Sequence, residues 1–66
     1  MKVRFKDVHY NARVGAFEGR VDIVRGTRTF RYPCSVAGPI SMDADQVRAG
    51  LYSRALKMSD STSHAG

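Results

Sequence analysis

The chain reads as an α+β domain, a three-stranded antiparallel β-meander with one C-terminal helix packed on one face, in the order β-β-β-α. Three observations predict it. Apolar residues recur at period two in three runs between Val3 and Val36, each run closed by a turn signal. From Ala44 to Met58 the apolar spacing switches to the helical period. A chain of 66 residues has room for one domain and no more.

In the first strand Val3 and Phe5 alternate with Lys2, Arg4 and Lys6, the pattern of a half-buried strand. At Asp7 the alternation breaks, and Val8 and Tyr10 continue on the other parity. Such a break predicts a bulge, or the start of a turn around Asn11-Ala12-Arg13.

The second strand sets Phe17, Val21 and Ile23 on one face, with Gly19 between them, and Ala16, Glu18, Arg20 and Asp22 on the other. The third sets Phe30, Tyr32, Cys34 and Val36 against Thr29 and Arg31. For odd positions of one strand to share a core with even positions of the next, the loop must hold an even number of residues. Arg25-Gly26 and Gly26-Thr27 both satisfy this, and the first would set Gly19 opposite Tyr32. Pro33 has no N–H to donate, so the third strand belongs at a sheet edge, where a meander puts it.

Asp43 is the expected helix cap, with Gln46 at capping-box spacing and Met42 and Val47 placed for a hydrophobic staple. Ala44, Val47, Leu51, Ala55 and Met58 form one stripe. Gly50 interrupts the helix at a cost of about 1 kcal/mol relative to alanine, or else admits a close neighbour. The expected domain is 1–58. Residues 59–66 lack large apolar side chains and are expected to be a disordered tail. The expected core is Val3, Phe5, Phe17, Val21, Ile23, Phe30, Tyr32, Cys34 and Val36 against the helical stripe.

Composition narrows the function classes. One cysteine excludes an internal disulfide and fits a reducing compartment, so the expected location is cytoplasmic. No apolar run is long enough for a membrane helix, and no membrane partner is expected. His9, His64 and Cys34 do not pair at metal-ligand spacing, and no phosphate loop appears, so neither metal nor cofactor is expected. Cys34 falls on the core face and the histidines lack partners, which leaves no catalytic constellation and predicts a protein that is not an enzyme.

Binding is the remaining class. Eleven Lys+Arg against six Asp+Glu give a net charge of +5, which favours an anionic partner such as nucleic acid or an acidic protein. By alternation Arg4, Lys6, Arg20 and Arg31 share the outer sheet face, and Arg25 and Arg28 flank the hairpin tip; these are the candidate nucleic-acid contacts. Glu18 and Asp22 stand among them and oppose phosphate binding. The leading expectation is therefore a small interaction module that self-associates as a homodimer, since so short a chain has a marginal core. Val8, Tyr10, Tyr52 and Leu56 lie off the core stripes and are the candidate self-association residues.

Overall fold

A computed structural model describes residues 1–64, with side chains through Ser59. It contains β1 (Lys2–Asn11), β2 (Ala16–Arg25), β3 (Arg28–Ala37) and α1 (Ala44–His64). The strands form one antiparallel sheet in the order β1-β2-β3, and the helix packs on one face. The expected α+β meander with a C-terminal helix is the observed fold.

The β2–β3 loop is Gly26-Thr27. Arg25 pairs with Arg28, so Val21 faces Tyr32, Ile23 faces Phe30, and Gly19 faces Cys34 rather than Tyr32. Gly26 takes φ +60 while Thr27 stays out of the left-handed region. A glycine at the first central position is the type II′ requirement, and only this choice of loop supplies it. Counted outward from the closing Arg25–Arg28 pair, alternate pairs are hydrogen-bonded, and Arg20–Pro33 falls on one that is not. Pro33 therefore interrupts no ladder bond, and β3 is an edge strand as expected.

In β1 the register slips between Lys6 and His9: Lys6 faces Arg20, His9 faces Glu18, and Asp7 and Val8 together stand against Gly19. Asp7 adopts φ 55, the left-handed conformation that suits the first residue of such a bulge. The extra residue flips the faces. Val3 and Phe5 lie on the helix side before it, and Tyr10, opposite Phe17, lies on that side after it. Asn11 shapes the β1–β2 loop: its Oδ1 accepts Arg13 N–H at 3.0 Å, and its carbonyl accepts Gly15 N–H at 2.9 Å.

Val21, Ile23, Cys34, Val47, Leu51 and Ala55 form the buried core, with Val3, Phe5, Phe17, Tyr32, Val36, Met42 and Leu56 packed against it. Phe30 departs from the expected core, since it remains 37% exposed. It pairs with Ile23 near the hairpin tip, two positions from the closing pair. Of the helical stripe, Ala44 and Met58 are exposed while the three middle positions are buried. Asp43 stands at the cap, its carbonyl accepting Val47 N–H at 3.0 Å. The helix runs to His64, past the stop expected near Met58. No glycine or proline intervenes before Gly66 to stop it. Ala65 and Gly66, the last part of the expected tail, lie outside the described residues.

Candidate nucleic-acid interface

The helix covers one face of the sheet and leaves the other open. On the open face the register sets up cross-strand rows: Lys2–Val24–Thr29, Arg4–Asp22–Arg31, Lys6–Arg20–Pro33 and His9–Glu18–Ser35. Arg4, Lys6, Arg20 and Arg31 are thus brought together as expected. Lys2 belongs with them and was missing from the candidate set, although the same alternation that selects Arg4 and Lys6 selects it. Arg25 and Arg28 are exposed at the tip, but their parity is that of Ile23 and Phe30, which is the helix side.

The two carboxylates on this face do not stand free. Asp22 is only 5% exposed, and Arg20 Nε donates to its Oδ1 at 3.0 Å. A carboxylate in mid-strand is sheltered by long neighbours on both sides, here Arg4 and Arg31 in its own row. Sequence alternation places Asp22 on the outer face among the cations; its burial there comes from its neighbours. Glu18 sits one end further along, and its Oε1 accepts from His9 Nε2 at 3.2 Å and from Asn11 Nδ2 at 3.3 Å. Among the described residues, the ion pairs are His9–Glu18, Arg20–Asp22 and Arg48–Asp45, and none engages Lys2, Arg4, Lys6 or Arg31.

His9 also donates from Nδ1 to the Asp7 carbonyl at 2.8 Å. Both of its partners are acceptors, so the ring satisfies both at once only as the imidazolium. Its pKa is accordingly raised above 6.5, chiefly by the Asp7 carbonyl; desolvation, next in size, opposes the rise, and Glu18 adds to it.

The candidate self-association residues divide between surface and core. Val8 is 41% exposed and lines an apolar groove with Phe5, Phe17, Met42 and Val47. Tyr10 is half-buried: its ring meets Phe17 edge-on at 4.8 Å, and its hydroxyl donates to the Gly38 carbonyl at 3.1 Å. Tyr52 borders a second apolar groove beside Val3 and Phe5, and Leu56 packs against the core. Both grooves lie on the helix side, along β1.

Cys34 is buried, with Sγ directed at the Tyr32 carbonyl at 3.4 Å. Burial raises its pKa, partly offset by the Arg54 charge, and a thiol so placed is a poor nucleophile. Among the described residues, no group of three or more His, Cys, Asp and Glu could hold a metal ion. Among the described residues, no helix is long and apolar enough to cross a membrane.

Comparison with protein-family models, with curated proteins and with solved structures found no match to this chain.

Proposed function

We propose that the protein is a non-enzymatic binding module that takes nucleic acid on the open face of its sheet. One observation carries this reading: the carboxylates of that face are already held, Asp22 by Arg20 and Glu18 by His9 and Asn11, while Lys2, Arg4, Lys6 and Arg31 have no ion-pair partner among the described residues. A row of uncompensated cations on one face is the electrostatic footprint of phosphate binding. The net charge of +5 supplies the long-range attraction.

An electrophoretic shift assay at two salt concentrations tests it. Binding to nucleic acid is expected at low salt and should weaken steeply as salt rises. Replacing both Arg4 and Arg31 with Glu should abolish it. These two exposed positions are better targets than Arg20, whose loss would also strand Asp22. No shift of either DNA or RNA at low salt would end the proposal.

A second reading, self-association, is favoured by the apolar strip along β1. The helix packs mainly against β2 and β3, leaving Val8 exposed and Val3 and Phe5 only partly covered, bordered by Tyr52 and Met42. Pairing of two β1 edges is disfavoured. Any antiparallel register of Lys2–Lys6 with itself that keeps the faces sets cations opposite cations, for instance Arg4 against Arg4. A homodimer would thus join through the apolar strip. Light scattering that returns a monomer at high concentration would exclude it.

A further inference from the structure

Resting on the reading above, we propose that the ligand is double-helical DNA, with the open sheet face set into the major groove and its two edge strands facing the two phosphate walls. The charge on this face is not uniform. The outward row of β1 is Lys2, Arg4 and Lys6, and that of β3 includes Arg31. Between them the outward row of β2 carries Glu18, Arg20 and Asp22, with Asp22 and Arg20 joined to each other. Free cations therefore stand on both rims, and the centre is neutral to slightly acidic.

That pattern suits a groove and not a single phosphate track. The outer strands of a three-stranded sheet lie about 10 Å apart, two strand spacings. The B-DNA major groove is about 12 Å wide, with phosphates along both walls and base edges on its floor. Rim cations meet the walls, and the centre faces the bases, which are not anionic. The carboxylates of β2, an obstacle on a surface laid flat against phosphates, then fall where no phosphate is.

The aromatic residues supply a second, independent observation. Single-strand binding relies on aromatic platforms on which bases stack. Here Phe5, Tyr10, Phe17, Phe30 and Tyr32 all have the parity of the helix side, and the open face presents no Phe or Tyr. Duplex RNA fits no better, because its major groove is too narrow and deep for a sheet to enter.

Three probes of one sequence decide the matter: a short DNA duplex, one of its single strands, and the matching RNA duplex, each measured by fluorescence anisotropy across a salt series. The DNA duplex should bind at least about tenfold more tightly than either of the others, with a log–log salt slope of about −3 to −4 for four rim cations. Arg4→Gln and Arg31→Gln, one on each rim, should each flatten that slope by about one, with a cooperative thermal melt showing that each variant is still folded. Equal or tighter binding of the single strand, or of the RNA duplex, overturns the groove assignment and leaves nucleic-acid binding standing. Failure of all three probes at low salt removes both.

Discussion

A Cβ placed on Gly50 would stand 2.7 Å from Val36 Cγ2 and 3.2 Å from Cγ1. The helix therefore approaches β3 as closely as it does because position 50 carries no side chain. Val36 is β-branched and stiff at χ1, so turning its methyls out of the way carries a cost of its own. Gly50→Ala is expected to destabilise the domain. Overpacking costs about 1–3 kcal/mol, against a gain of about 1 kcal/mol in helix propensity. Urea denaturation should show the midpoint falling, and the added substitution Val36→Ala should recover part of the loss. An unchanged or raised midpoint for Gly50→Ala alone would show that the helix can shift at no cost.

The bulge offers a second test. A Cβ on Gly19 would lie 2.9 Å from Val8 Cγ2, 3.2 Å from Val8 Cα and 3.4 Å from the Lys6 carbonyl. Part of that wall is backbone, so Gly19→Ala must distort the bulge or the β1–β2 pairing, at a cost of about 1–3 kcal/mol. Asp7 sits at φ 55, where a β-branched residue is strained by roughly 1–2 kcal/mol. Asp7→Val should accordingly lower stability, and Asp7→Gly should leave it equal or slightly higher. Thermal melts of the three variants check the order; a Val variant as stable as the Gly variant would contradict it.

Asp22 carries the prediction about the open face. It is nearly fully buried, and Arg20 holds it from a half-buried position. Asp22→Ala leaves Arg20 unpaired between Lys6 and Pro33, and removes the one carboxylate between Arg4 and Arg31. A loss of about 1–3 kcal/mol is expected from the charged hydrogen bond and the added repulsion. High salt should restore part of the lost stability by screening the arginines. A variant as stable as the parent would mean the pair contributes nothing to the fold.

His9 sets a pH dependence. Its folded pKa is raised above 6.5, so the folded state binds the proton more tightly than the unfolded chain. The contribution to stability is complete below the unfolded value of about 6.5 and is lost as pH rises through the folded value. An NMR titration of the His9 ring should give a midpoint above 6.5, and Glu18→Gln should lower it. Because the Asp7 carbonyl is the larger cause, that substitution should leave part of the elevation in place.

Period two in the residues 2–36 and the helical period after residue 43 determined the element order, the missing N–H of Pro33 the edge position of its strand, and the cap at Asp43 the start of the helix. These are local properties: one strand's alternation or one cap signals them without reference to distant residues. Parity likewise required an even loop between the second and third strands. It did not choose between Arg25-Gly26 and Gly26-Thr27, because both keep the same faces together; the φ +60 at Gly26 with Thr27 beside it made that choice. The sequence also marked the break at Asp7. What followed from it was decided in three dimensions, since one residue added against Gly19 carries Val8 and Tyr10 to the helix side. Burial of Asp22, exposure of Phe30 and the seat of Gly50 on Val36 were tertiary as well. Each depends on which side chains stand in the neighbouring strand or helix, and alternation along a single strand reports a face without reporting what covers it.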